Sequence, residues 1–175
     1  SYEIGLDQAL TQNASVSLSI YQNEVENMIQ KESGKLTNIN EAKLRGGEVS
    51  FHWQNNEWFV DSAYAYVQAK DGATKQELPK RPRQTLTFTT GLQNEVYGIS
   101  ASLIARSKSK SWSSSNDNPG YATIDLNAYW NIHPNVKVFT NIENVGDVRH
   151  EIEYNYNNYY IDEGRLASAG ITFKY

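Results

Sequence analysis

The chain has 175 residues, the size of one ordinary domain. A net charge of −4 argues against a nucleic-acid partner, and the absence of Cys excludes disulfides and zinc-thiolate sites. No apolar run approaches the ~18–20 residues of a transmembrane helix, although a membrane barrel leaves only a weak hydropathy trace.

Twelve Tyr and four Trp against one Met place much of the apolar content in aromatic rings, although mean hydropathy is only −0.64. That bias favours strands and interfaces over helical cores. The opening Ser1-Tyr2-Glu3-Ile4 has no basic or apolar leader, so either a signal has been removed or the start of the chain is missing.

Period-two alternation then recurs along the chain and predicts nine strands. Their apolar positions are Tyr2, Ile4 and Leu6; Val16, Leu18 and Ile20; Val49, Phe51 and Trp53; and Trp58, Val60, Tyr64 and Tyr66. Next comes Leu86, Phe88, Thr90 and Leu92, with Thr85, Thr87 and Thr89 on the opposite face. The later strands carry Tyr97, Ile99, Ala101 and Leu103; Ile124, Leu126, Ala128 and Trp130; Val136, Val138 and Ile142; and Ala167, Ala169, Ile171, Phe173 and Tyr175. Helical spacing competes only at Glu24 to Lys31, where a helix face with Val25, Met28 and Ile29 and a bent strand fit equally.

The links alternate in length. Tight ones are predicted at Thr11–Asn13, Asn55–Glu57, Gln93–Glu95 and His133–Asn135, and long polar loops near Lys31–Lys43, Lys70–Arg83, Arg106–Gly120 and Gly146–Gly164. An up-and-down outer-membrane barrel has this asymmetry, with short turns on one side and long loops on the other. Trp53, Trp58, Tyr97, Trp130 and Tyr175 fall on the outward face beside short turns or the chain end, where a lipid–water girdle belongs; aromatics capping a soluble sandwich core are the competing explanation. Asp125, Asn127, Asn141 and Glu143 fall on the inward face and call for a polar lumen.

Several stretches also resemble TonB-dependent receptor barrels. They are Ser1 to Leu6, Leu44-Arg45-Gly46-Gly47-Glu48-Val49, Leu78-Pro79-Lys80-Arg81-Pro82-Arg83 and Pro119-Gly120-Tyr121. The ending adds Asn141-Ile142-Glu143-Asn144-Val145-Gly146-Asp147, then Glu163-Gly164-Arg165, then a strand closing on an aromatic residue. Within that family the colicin I receptor, the catecholate siderophore receptors and the vitamin B12 receptor are similar. The resemblance implies an all-β, antiparallel transmembrane barrel of which residues 1–175 are about nine C-terminal strands, with the plug domain absent. It also implies TonB-driven uptake of a scarce ligand, most readily a ferric siderophore, across a Gram-negative outer membrane.

The implied partners are outer-membrane lipid and lipopolysaccharide, the remaining strands and plug of the same receptor, and TonB through the missing N-terminal region. An iron chelate or similar small ligand, and colicins or phage, complete the set. No cofactor is implied. The last strand, ending on Tyr175, resembles the signal read by the barrel-assembly machinery.

Ligand-contact candidates lie on two long loops. Arg106, Lys108, Lys110 and Trp112 set cations beside an indole, suited to an acidic chelate or lipopolysaccharide phosphates; a mobile linker is the competing explanation. Arg149, His150, Tyr154, Tyr156 and Tyr159 combine groups that can face an anion with rigid amphipathic rings, against an ordinary solvated loop. Asp147, Glu151, Glu153 and Asp162 offer Ca²⁺ oxygens without EF-hand spacing, and the residues suggest no metal site strongly enough to assign one. His52, His133 and His150 fall on a strand, a short turn and a long loop, with no reason to converge. No nucleophile elbow or phosphate-binding glycine loop is present, so catalysis is not expected. A passive porin and a soluble β-rich binding domain remain as alternatives.

Overall fold

The computed structural model describes residues 1–32, 35–111, 117–155 and 158–174; for 28, 30–32, 35, 37–40, 151–155 and 158–160 only the backbone is described. The described chain is all-β. Its strands are β1 (Tyr2–Thr11), β2 (Ala14–Glu32), β3 (Lys35–Asn55), β4 (Trp58–Asp71), β5 (Gln84–Gln93), β6 (Tyr97–Arg106), β7 (Ser109–Lys110), β8 (Asp117–Asn118), β9 (Tyr121–His133), β10 (Val136–Glu143), β11 (Glu151–Asn155), β12 (Asn158–Ile161) and β13 (Leu166–Phe173). Nine of them form one antiparallel meander in the order β1-β2-β3-β4-β5-β6-β9-β10-β13. β7 pairs with β8 and β11 with β12 as small hairpins inside two of the long connections.

Directly paired residues share a face, so the register sorts the side chains. Leu6, Leu18, Val49, Tyr64 and Leu86 are successive neighbours, as are Val16, Phe51, Ser62, Phe88, Leu103 and Ile124. A third row of that face runs Tyr97, Trp130, Val138 and Ile171. The opposite face carries the row Ser15, His52, Asp61, Thr89, Ser102 and Asp125, with Ser100, Asn127, Asn141 and Ser168 beside it. His52 Nδ1 lies 2.6 Å from Asp61, and Thr89 donates to Ser102 at 3.0 Å, so the polar face satisfies part of its own hydrogen bonding.

Neither face is covered by a second layer. The accessible surface is 12113 Å², whereas a globular protein of 19.8 kDa exposes about 8,600 Å². Ile4, Leu18, Ile20, Trp58, Ile99, Trp130 and Ile171 are exposed large apolar residues. Among the described residues the buried apolar cluster is Ala42, Ala69 and Leu78, where the connection after β4 folds back and Leu78 N–H donates to Ala69 O at 3.0 Å. Asp71 shapes that connection by accepting from the amides of Ala73 (2.9 Å) and Thr74 (2.7 Å).

The four short links fall between β1 and β2, β3 and β4, β5 and β6, and β9 and β10, at the places the sequence predicts. Asn56 takes φ 52° in one of them, a left-handed conformation that asparagine tolerates better than most residues. The expected loop at Lys31–Lys43 is corrected. β2 and β3 run on to Glu32 and Lys35 and pair almost to their ends, so this stretch is mainly hairpin. The ambiguity at Glu24 to Lys31 also resolves as strand, with Asn27 at φ 55°. At 19 and 21 residues these strands exceed the ~9–11 that cross a bilayer, and the outer portion is charged, which is why it reads as a loop.

Candidate functional site at the long-loop rim

The connections after β2, β4, β6 and β10 all leave from one edge of the sheet. There, backbone and side-chain contacts gather β6, β9 and the segment after β10 into one structure. Arg106 ends β6 and pairs with Tyr121, the first residue of β9, so both belong to the polar face. Arg106 Nη1 donates to the Tyr121 hydroxyl at 3.1 Å. On Tyr121 lies the imidazole of His150, with centroids 3.5 Å apart and planes inclined by 12°. His150 Nε2 is 3.2 Å from the Asp162 carboxylate, and Asp162 N–H donates to the His150 carbonyl at 3.0 Å. The His150 side chain is only 10% exposed, and its Nδ1 is buried without a hydrogen-bond partner among the described residues.

The segment carrying His150 is held at its base by the Asn-Val-Gly-Asp turn. Asn144 is 7% exposed and sits at φ 51°; its side chain accepts from Val148 N–H at 2.9 Å and donates to Val148 O at 2.8 Å. Its own N–H donates to Asp125 at 2.7 Å, tying the turn to β9. Asp147, also at φ 51°, accepts from Arg165 N–H at 2.9 Å. That backbone donor, aided by the charges of Arg149 and Arg165, holds the Asp147 carboxyl below its ordinary range. A Cβ at position 164 would collide with the Asp147 carboxylate, so the Glu-Gly-Arg step needs its glycine for close approach.

Two hollows flank the Tyr121–His150 stack. One, of about 240 Å³, is lined by Arg106, Asp125, Glu143, His150, Asp162 and Glu163, among others, and is dominated by carboxylates. The other, of about 250 Å³, is lined by Lys80, Arg106, Ser107, Asn118, Tyr121 and His150, among others, and contains no carboxylate in its described lining.

Of the predicted contact residues, the structure brings Arg106 and His150 together. Lys108 and Lys110 converge instead on Asp117, at 2.9 and 2.7 Å, and hold its carboxyl below the usual range, with Lys110 the stronger influence. Arg149 is exposed beside this base. Trp112 and Tyr156 lie outside the described residues, and the side chains of Tyr154 and Tyr159 are not described. Of the acidic residues considered as Ca²⁺ oxygens, the side chains of Glu151 and Glu153 lie outside the described ones; among the described residues no group of His, Asp or Glu is placed to hold a metal.

Tyr121, Asn144 and Lys80 are participants that the sequence expectation used only as family motifs. Strand pairing puts Tyr121 beside Arg106, a signal available once β6 and β9 are recognised as neighbours. Trp53, Trp58, Tyr97 and Trp130 lie on the apolar face near the short turns, while Tyr175 lies outside the described residues. At the other margin of that face stand Tyr2 and Tyr66, outside the single aromatic row that the sequence predicts.

Comparison with known proteins places this arrangement. The family model described as TonB dependent receptor-like, beta-barrel matches residues 1–145. The probable TonB-dependent siderophore receptor PiuA of Acinetobacter baumannii is 24% identical over the whole chain, which spans 26% of that relative. The chain therefore corresponds to about a quarter of the curated relative it matches. Among solved structures, the copper transporter OprC superposes with a TM-score of 0.83 at 17% identity, over 99% of this chain and 30% of its own. The ferric yersiniabactin uptake receptor FyuA of Yersinia pestis gives 0.82 at 14% identity, over 98% and 29%. These structural likenesses show the shared fold.

Proposed function

The chain belongs to the TonB dependent receptor-like β-barrel family, and from that premise we propose that it forms the C-terminal part of the barrel of an outer-membrane receptor that takes up a ferric siderophore. The observation that carries this reading is the division of one nine-strand sheet into an apolar face bordered by aromatic residues and a polar face. From Trp58 to Tyr66 the apolar face of β4 runs roughly 27 Å along the strand; at the usual ~35–45° barrel tilt this is about 19–22 Å in height, most of the ~25 Å apolar band of outer-membrane barrels. Trp53, Trp58, Tyr97 and Trp130 form the girdle on the short-turn side, to which the sequence alternation alone assigns Tyr175, and Tyr2 and Tyr66 contribute to the other.

β1 and β13 each pair on one side only, and lipid tolerates no open edge, so both pair with the remaining strands of the receptor. The polar face then lines a lumen shared with the plug domain, and TonB acts through a region outside this chain. The long loops face outward, toward lipopolysaccharide, colicins and phage, and Arg106 and His150 are their ligand-facing residues. Names of relatives support the ligand class: the curated relative is called a siderophore receptor and a structural neighbour a ferric yersiniabactin receptor. Transport rather than catalysis is the activity this family implies.

The test is radioiron uptake from several ferric siderophores by cells carrying the full-length receptor, with and without TonB. TonB-dependent accumulation of one chelate is the expected result. Uptake that persists without TonB would favour a passive channel, and absence of the protein from the outer-membrane fraction would overturn the barrel assignment.

A further inference from the structure

We propose that a hollow at the short-turn end of the polar face holds an acidic side chain of the plug domain, with the Lys137 ammonium as its anchor. This rests on the reading that the polar face lines a lumen shared with the plug, and it adds where the wall grips that occupant and by what chemistry.

Strand register places the parts. Phe59, Gly91, Ser100, Asn127 and Asn141 follow one another across β4, β5, β6, β9 and β10, and Gln93, Gly98, Tyr129 and Phe139 form the next row toward the short turns. Lys137, two residues before Phe139 and paired with Thr172 of β13, stands beyond them on the same face. Over these rows lies a hollow of about 340 Å³, lined by Phe59, Asn127, Tyr129, Lys137, Phe139 and Asn141, among others.

The charge of this hollow is one-sided, because its lining includes Lys137 and no carboxylate. The ammonium sits 4.3 Å from the centroid of the Tyr129 ring, whose hydroxyl donates to Asn94 O at 2.8 Å, so the cation rests on a fixed support. It makes no ion pair or hydrogen bond among the described residues, and it is not buried, so its N–H donors are within reach of an occupant. Between this hollow and the long-loop rim the face carries Asp7, Glu48, Asp61, Asp125 and Glu143. An acidic side chain is repelled along that stretch and received at Lys137.

The rest of the lining suits a packed segment better than a lone hydrated ion. Phe59 and Phe139 present apolar surface, while Asn127, Asn141 and Thr172 supply donors around a carboxylate. A free ion leaves both rings against water, whereas a segment carrying the acid covers them. This chain spans 26% of the curated relative, so most of such a receptor lies outside it and can supply that segment.

The test is zero-length coupling in the full-length receptor in detergent. A water-soluble carbodiimide joins an amine to a touching carboxylate as an amide, with loss of water, and digestion followed by mass spectrometry identifies the pair. A cross-link from Lys137 to an Asp or Glu of the plug is the expected result. Limited proteolysis of the plug gives a second reading: Lys137→Gln should speed it about tenfold, the weight of one charge-assisted bond, while Lys137→Arg stays near the unaltered rate. Both variants are first checked for the heat-modifiable mobility of a folded barrel. Coupling of Lys137 only to barrel residues, or plug proteolysis unchanged in Lys137→Gln, would overturn the proposal. So would the absence of coupling together with acetylation of Lys137 that inorganic phosphate slows, which assigns the hollow to a free anion. Those results with TonB-dependent uptake intact defeat the anchor alone, whereas failure of the unaltered receptor to accumulate any chelate defeats the broader reading.

Discussion

At the short-turn rim each link is hydrogen-bonded sideways to the next, while at the long-loop rim the described sideways ties are Gly72 N–H to Glu41 O at 2.8 Å and Lys80 N–H to Lys110 O at 2.9 Å, beside others near the loop bases. Asn13 and Gln54 exchange bonds at 2.6 and 2.9 Å, Gln93 N–H reaches Glu57 O at 2.8 Å, and Asn131 N–H reaches Val96 O at 2.7 Å. Asn94 organises the middle of that rim: its side chain accepts from the amides of Val96 and Tyr97, each at 2.8 Å, and donates to Glu57 at 2.7 Å. Across the sheet, by contrast, the described ties of the segment between Gly146 and Arg165 are made by Asn144, by Asp147 and by the His150 stack with its bonds to Asp162. Stability is thus distributed along one rim and concentrated at the other, the pattern suited to a scaffold that presents variable loops.

The sharpest way to break that contrast is Gly98→Val. A side chain there meets the Tyr129 ring, whose hydroxyl donates to Asn94 O at 2.8 Å, so overpacking and a lost tie should together cost about 3 kcal/mol. A lower urea midpoint of the full-length receptor would register it. Asn94→Ala should follow at about 2 kcal/mol, since two amides and Glu57 lose their partner. An unchanged midpoint would mean that the short-turn rim is not stitched in the way its contacts indicate.

At the other rim, Asn144→Ala should cost about 1–2 kcal/mol in the same measurement, and Asn144→Gly less, because glycine accepts φ 51° while still losing the Val148 bonds. The smallest effect concerns acid. Because the native Asp147 carboxyl is held below its ordinary value of 3.8, its stabilising bond to Arg165 is fully present above that pH and is lost as pH falls below it toward the lowered native value. Amide exchange at Arg165 should accelerate across that acidic interval, and Asp147→Asn should remove the pH dependence.

Much of the fold is legible in the sequence because one face of each strand must be apolar. The alternation from Leu86 to Leu92 reads directly as a strand, and β5 spans it. It fails at Lys31–Lys43, where the hairpin extends past the apolar band and the strands remain paired along their backbones. The candidate site is less legible still. Arg106 and His150 are recognisable as chemically useful residues, but their meeting through Tyr121 depends on the pairing of β6 with β9 and on a turn fixed by Asn144. Lys108 and Lys110 look equally suitable until Asp117, several residues away, is found between them.

One recurring detail of the polar face concerns its glycines. Tyr21 lies across Gly46, Tyr129 across Gly98 and Phe139 across Gly170, each ring over the glycine directly opposite on the neighbouring strand. These rings fill the low places that missing side chains would leave. At Tyr21 and Phe139 the wall thus carries aromatic carbon over its glycines, which holds by dispersion, whereas the Tyr129 ring is itself capped by the Lys137 ammonium 4.3 Å from its centroid.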